Sequence, residues 1–239
     1  EQTLNDILNY MVASKKQSYL AIDEFQQITE YPEKGVEALL RSHIQFMPNV
    51  HFIFSGSKKH VMEEMFTSAK RPFYQSTQII VLTEIPLENY YSFAHSFFAK
   101  EKRELTLETF SYLYQLENGH TWYVQSILNR LYEKKINPID NRLVDRCIND
   151  ILDEQETIYQ SNLTLLTNNQ VDLLKAIATE GCIKNINAND FIKKHHLKTP
   201  SSVNVALKSL LNKELIYNTP DGYIVYDRFF GKWLKDAVI

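Results

Sequence analysis

Tyr19-Leu-Ala-Ile-Asp-Glu-Phe-Gln26 is the stretch that decides how this chain is read. Tyr19–Ile22 is a short apolar run that ends in two adjacent carboxylates. A run this short, bounded by charge, predicts a buried β-strand. In open α/β sheets ligands collect at the carboxyl ends of strands, which puts Asp23 and Glu24 where chemistry is done. An Asp there holds Mg²⁺ against phosphate oxygens, and a Glu beside it orients and deprotonates an attacking water. The plainer alternative is that the two acids cap the helix that follows.

Two further apolar runs follow. Val50-His-Phe-Ile-Phe54 ends in Ser55-Gly56-Ser57, and Gln78-Ile-Ile-Val-Leu82 comes after Arg71-Pro72-Phe73-Tyr74. Three such runs separated by helix-length segments predict a parallel sheet covered on both faces. A hydroxyl at the tip of the second strand, Ser55 or Ser57, suits contact with a γ-phosphate or the attacking water. A simple serine cap for the next helix is the alternative. Arg71 stands where a guanidinium reaches phosphate from its own or a neighbouring subunit, as an arginine finger does.

From Pro86 the strand pattern stops. Leu87–Ala99, Thr106–Glu117, Thr121–Lys134 and Leu143–Ile158 carry helical spacing, with Asn118-Gly119 as a helix stop. The weakly patterned Asn162–Asn168 reads as a linker. Beyond it come a helix over Asn169–Thr179, a short one over Asn189–His196, and a third from Thr199-Pro200 with the buried stripe Val203, Ala206, Leu207, Leu210. A hairpin around Thr219-Pro-Asp-Gly222 closes the pattern, and three helices plus a hairpin make a winged helix-turn-helix.

Charge separates the tail from the rest. The net charge is −3, but residues 167–239 hold 10 Lys and Arg against 7 Asp and Glu. Lys193–Lys213 contains five lysines and no acid. Ser202, Asn204, Lys208 and Asn212 are expected on the outside of the third tail helix, flanked by Lys193, Lys194 and Lys198. These residue types reach phosphates and base edges, so they form the candidate DNA surface.

Other features bound the answer. No apolar run approaches the roughly 18 residues of a membrane span, so no membrane partner is expected. The start, Glu1-Gln-Thr-Leu4, lacks the basic and apolar stretches of a secretory leader. Cys147 and Cys182 read as two lone buried thiols, and a cytoplasmic location is expected. His60 with Glu63 and Glu64 reads as a solvated helix face. No Gly-x-x-x-x-Gly-Lys-[Ser/Thr] occurs, and there are only 6 glycines. The backbone cradle for phosphates is therefore not encoded here.

Taken in order, these segments resemble the prokaryotic P-loop ATPases of the archaeal-type ATPase family, in the STAND branch and related to AAA+ proteins. Leu20–Gln26 looks like the family's Walker B strand and Phe52–Ser57 like its sensor-1 strand. Arg71-Pro-Phe-Tyr74 resembles the segment before the last core strand, where many members carry Pro-Leu-Tyr-Gly-Arg. Gln75-Ser76 replace that Gly-Arg here, which leaves Arg71 as the substitute finger. Asn118-Gly-His-Thr-Trp-Tyr123 resembles the Gly-His-Pro-Tyr-Tyr motif of the lid, with Thr121 in place of the proline. Leu166–Leu174 and Asp227–Leu234 look like the opening and closing segments of the family's winged-helix domain.

The resemblance implies an α/β plus all-α fold: a partial parallel-sheet P-loop NTPase core over 1–100, a helical lid over 101–166, and a winged helix over 167–239. It implies ATP and Mg²⁺ as cofactors of the intact protein. Asp23 would hold Mg²⁺, Glu24 would activate water, and Ser55 or Ser57 would sense the γ-phosphate. Gly119 and His120 would approach the base. The implied role is a slowly hydrolysing switch coupled to the winged helix. The alternative is a DNA-binding regulatory module, or a partner-sensing protein with a degenerate nucleotide site. The phosphate-binding strand and helix are expected upstream of Glu1. Without that strand, a sheet edge near Leu20–Ile22 is expected to be open to self-association.

Overall fold

The computed structural model describes residues 2–14 and 16–236, and the chain divides into two compact units, the first ending at Leu82 and the second starting at Thr83. The first unit holds α1 (Gln2–Ala13), β1 (Ser18–Ile22), a 3₁₀ turn (Phe25–Glu30), α2 (Val36–Ile44), β2 (Val50–Phe54) and α3 (Lys59–Thr67). β1 and β2 pair in parallel, in register from Ser18 opposite Val50 to Ile22 opposite Phe54. A parallel pair requires a crossover, and α2 lies within it.

Alternation along the two strands sorts their side chains. Leu20, Ile22, Phe52 and Phe54 turn to one face and pack on small apolar clusters that include Phe25, Leu40, Met65, Phe66 and Phe73. Phe25 stacks on Phe54 with ring centroids 4.1 Å apart, and Phe73 meets both edge-on. The opposite face carries Tyr19 and Ile53, which are 73% and 52% exposed. The expectation of a sheet covered on both faces is therefore corrected: within this unit one face is bare.

The expected third strand is corrected as well. Gln78–Leu82 is not part of a strand, and Ile80 and Leu82 are 76% and 90% exposed. A strand exists only through the ladder of a neighbour, and among the described residues none pairs with this segment.

The second unit is helical: α4 (Leu87–Lys100), α5 (Leu107–Leu116), α6 (Thr121–Lys134), α7 (Asn141–Thr164), α8 (Asn168–Glu180), α9 (Asn189–Lys194) and α10 (Pro200–Asn212). The hairpin β3 (Ile216–Thr219) and β4 (Gly222–Val225) and the helix α11 (Arg228–Asp236) complete it. Polar caps start the helices. Thr106 accepts from the Thr109 N–H, Asp140 from the Leu143 N–H, and Thr199 from the Ser202 N–H with Pro200 in the first turn. Thr167 and Gln170 close a capping box.

One continuous core runs from Tyr90, Ala94 and Phe98 of α4 through Ile127 and Val144 to Leu174, Leu210 and Phe230. α4, placed with the strands in the 1–100 expectation, thus packs in the second unit. The expected linker at Asn162–Asn168 shrinks to residues 165–167, because α7 continues to Thr164 and Leu163 and Leu166 still pack on the core. In the wing, Ile183 bridges to Tyr223. Gly222 sits at φ +141°, and a Cβ there would fall 2.5 Å from the Ile183 backbone, so the close approach needs glycine. Cys147 is buried but Cys182 is exposed, in the turn that follows α8, contrary to the expectation of two buried thiols. Among the described residues, no helix is long and apolar enough to cross a membrane.

Candidate functional site

The register of the parallel pair assembles the acid site. One step beyond Ile22 and Phe54, Asp23 falls beside Ser55. The Ser55 N–H donates to the Ile22 carbonyl at 3.0 Å, and the Phe25 N–H donates to the Ser55 carbonyl at 2.9 Å. Glu24 turns through a left-handed conformation at φ 49°, which directs the chain into the 3₁₀ turn. The Ser55 hydroxyl then donates to Asp23 Oδ1 at 2.6 Å, and the Ser57 hydroxyl to Glu24 Oε2 at 2.9 Å. The structure therefore brings Asp23, Glu24, Ser55 and Ser57 together.

Gln26, which sequence reasoning passed over, belongs to the same group. It is 2% exposed, its Nε2 donates to Glu24 Oε2, and it lies 3.4 Å from the Ser57 hydroxyl. Its Oε1 is buried without a partner. Gly56 makes room for this amide, because a Cβ at 56 would collide with Gln26 Oε1 and with Met62. Nothing local sets Gln26 apart from its neighbour Gln27, and its burial comes from remote segments.

The electrostatics favour charge at the exposed end of the site. The Ser55 hydroxyl, and after it the Glu24 N–H, hold the Asp23 carboxyl below its usual range. Asp23 is thus ionised at neutral pH. Two carboxylates with two hydroxyls are hard oxygen donors of the kind Mg²⁺ takes, usually as one or two carboxylates supplemented by phosphate and water. Among the described residues no group of three or more His, Cys, Asp or Glu forms a metal cage. The donor set fits a cation shared with a phosphate ligand rather than one held by protein alone.

Arg71 lies elsewhere in the unit. Its guanidinium pairs with Glu37 of α2 at 3.4 Å, and both side chains are largely covered. Burial raises the Glu37 pKa, with Arg71 opposing the rise. Arg71 Nε is buried and has no hydrogen-bond partner.

Gly119 and His120 lie in the α5–α6 loop of the second unit. Gly119 has φ +69°, and a Cβ there would meet the Tyr114 ring at 2.5 Å. His120 precedes the first turn of α6 and packs edge-on against Tyr123, with centroids 4.8 Å apart. Partial burial, and then Arg228, lower its pKa. Behind the loop, Glu117 is fully buried. Lys232 of α11 stands 3.3 Å from its Oε1, and Arg228 donates to its backbone carbonyl at 2.8 Å. The Tyr123 hydroxyl accepts from the Arg228 N–H at 3.0 Å. Sequence reasoning missed this junction, whose members lie more than a hundred residues apart.

On the winged helix, Lys193, Lys198 and Lys208 are exposed and, among the described residues, have no ion-pair partner. Lys194 instead pairs with Glu180 at 2.7 Å, and Glu180 also meets His195 Nε2 at 2.6 Å. Asn204 is exposed and its Oδ1 accepts from Asn187 Nδ2 at 3.1 Å. Ser202 is turned inward, where its hydroxyl accepts from Asn169 Nδ2 at 3.0 Å.

Comparison with known proteins fits this description. A family model described as a probable winged helix domain matches residues 157–236. Residues 157–236 form a winged-helix domain. No curated protein matches the chain in sequence. Among solved structures, the chain is similar to a Walker-type ATPase of Pyrococcus abyssi, with a TM-score of 0.64 at 17% identity, over 97% of this chain and 67% of that one. That likeness is one of fold. Weaker likenesses are to the RuvB Holliday junction branch migration motor of Thermotoga maritima (TM-score 0.48, 16% identity, 95% and 73% coverage) and the ORC2 protein of Aeropyrum pernix (TM-score 0.45, 15% identity, 98% and 69% coverage).

Proposed function

We propose that this chain supplies the Walker B, sensor-1, lid and winged-helix parts of an ATP-binding switch protein of the STAND and AAA+ type that hydrolyses ATP slowly. The observation that carries the reading is the pairing of Asp23 with Ser55 and Glu24 with Ser57 across two parallel strand ends. Asp23 would hold Mg²⁺, which neutralises phosphate charge when bound. Glu24, oriented by the Ser57 and Gln26 side chains, would take the proton of the attacking water. Ser55 would report the γ-phosphate by exchanging its bond to Asp23 for one to phosphate. In this reading His120 and Gly119 belong to the base-binding loop. The ion pair to Glu37 in this structure favours a structural role for Arg71 over the finger role.

The phosphate cradle is assigned to sequence outside these 239 residues, since no P-loop motif occurs within them. The test uses the full-length gene product, measuring ATP–Mg²⁺ binding and phosphate release. Wild type is expected to bind and turn over slowly, and Glu24→Gln to bind ATP and retain it. Absence of both binding and turnover in the wild type would sink the proposal, as would turnover by these 239 residues alone.

A second reading concerns the winged helix. Lys193, Lys198 and Lys208 are exposed and, among the described residues, without an ion-pair partner, and no acid lies between Lys193 and Lys213, which supports DNA as the partner of the output domain.

A further inference from the structure

The outward stripe of α10 differs from what the sequence pattern suggests. The buried stripe is Val203, Ala206 and Leu210, with Leu207 half-buried. The opposite stripe is Ser201, Asn204, Val205 and Lys208, spaced i, i+3, i+4 and i+7, and all four are exposed. Val205 stands 70% exposed at its centre. A β-branched residue gains nothing from solvent and is a weaker helix former than alanine. Its neighbour Asn204 is held by Asn187, which fixes the amide oxygen towards Asn187 and leaves that oxygen's second lone pair and both N–H donors available.

These side chains have one joint use. An asparagine amide pairs bidentately with the N6 and N7 edge of adenine in the major groove, and an apolar side chain covers the thymine methyl. The recognition helix of a helix-turn-helix presents its N-terminal half to base edges, and Asn204 and Val205 occupy that half of α10. Charge matches the partner: α10 contains no acid, Lys208 ends the stripe, and Lys193 and Lys198 are exposed in the segment that leads into α10.

We propose that α10 reads an adjacent adenine and thymine in the major groove of duplex DNA, Asn204 taking the adenine edge and Val205 the thymine methyl. Lys193, Lys198 and Lys208 hold the flanking phosphates, and Asn187 is a positioning residue for Asn204. This inference rests on the DNA-binding reading of the winged helix and adds its sequence preference.

The test starts from a pool of short randomised duplexes selected on the full chain. Enriched sequences are expected to carry neighbouring A·T pairs. Replacing the thymine of that step by deoxyuridine, which removes only the methyl group, is expected to weaken wild-type binding several-fold. Val205→Ala should bind the two duplexes equally. Asn204→Ala should lose about tenfold on the selected duplex, in line with one bidentate base contact, while Lys208→Ala weakens all duplexes alike and lowers the salt slope by about one. Wild-type binding that ignores the methyl group, or a pool with no A·T preference, overturns the inference while leaving DNA binding intact. Absence of any salt-dependent duplex binding overturns the DNA reading itself and assigns the face to a protein partner.

Discussion

The chain uses carboxylates in two opposite ways. At the end of β1, Asp23 is exposed, takes a hydrogen bond from the Ser55 hydroxyl, and has its pKa lowered. In the second unit, Glu117 is fully buried, Lys232 Nζ stands 3.3 Å from its Oε1, and burial raises its pKa despite Lys232 and Arg228 nearby. The first arrangement keeps a charge available to a ligand cation. The second buries a carboxyl whose neighbouring cations, Lys232 and Arg228, both come from α11, so it ties the α5–α6 loop to the last helix. Site acids are thus distinguished by hydration and by neighbouring hydroxyls, not by residue type.

The largest expected effect breaks the buried arrangement. Lys232→Met leaves Glu117 without its nearest cation and is expected to cost about 3 kcal/mol at neutral pH, read by urea unfolding. Adding Glu117→Gln should recover most of that loss, and a double variant as unstable as the single one would refute the pairing. Next, Gly119→Ala forces a side chain into a left-handed position against Tyr114 and is expected to cost about 2 kcal/mol. A thermal midpoint unchanged from wild type would contradict the loop geometry.

The pH dependence sharpens the comparison. Folding raises the Glu117 pKa above its ordinary 4.5, so the folded chain keeps a proton that the unfolded chain has lost. Stability therefore declines as pH rises from about 4.5 through the raised value. Glu117→Gln should remove that decline, visible as a flatter difference curve of unfolding free energy against pH. Asp23 has the opposite sign: its lowered pKa favours the folded state above the ordinary 3.8, and that support is lost in stronger acid. The smallest effect is accordingly spectroscopic. Ser55→Ala is expected to move the Asp23 pKa up towards its ordinary value, followed by carboxyl NMR, with little change in stability at neutral pH.

Much of the acid site was legible in the chain. Tyr19–Ile22 and Val50–Phe54 are apolar runs of strand length, and each ends in the polar residues that meet in space. The winged helix was legible through helical periodicity, Pro200 and the Thr219–Gly222 turn. Gln78–Leu82 misled because its composition is that of a strand while its pairing depends on a neighbour. Gln26 and Glu117 were missed because polar residues are ordinarily solvated, and only packing from distant segments buries these two.

Local chemistry by itself determined the helices, their caps, the two strands and the acids at the first strand's end, because period, capping and turn preference act over a few residues. Tertiary structure alone decided which hydroxyl meets which carboxylate, that Gln26 joins them, that Val205 rather than Ser202 faces outward, and that Glu117 answers to Lys232. Those outcomes depend on strand register and on burial between segments remote in sequence, which no local pattern encodes.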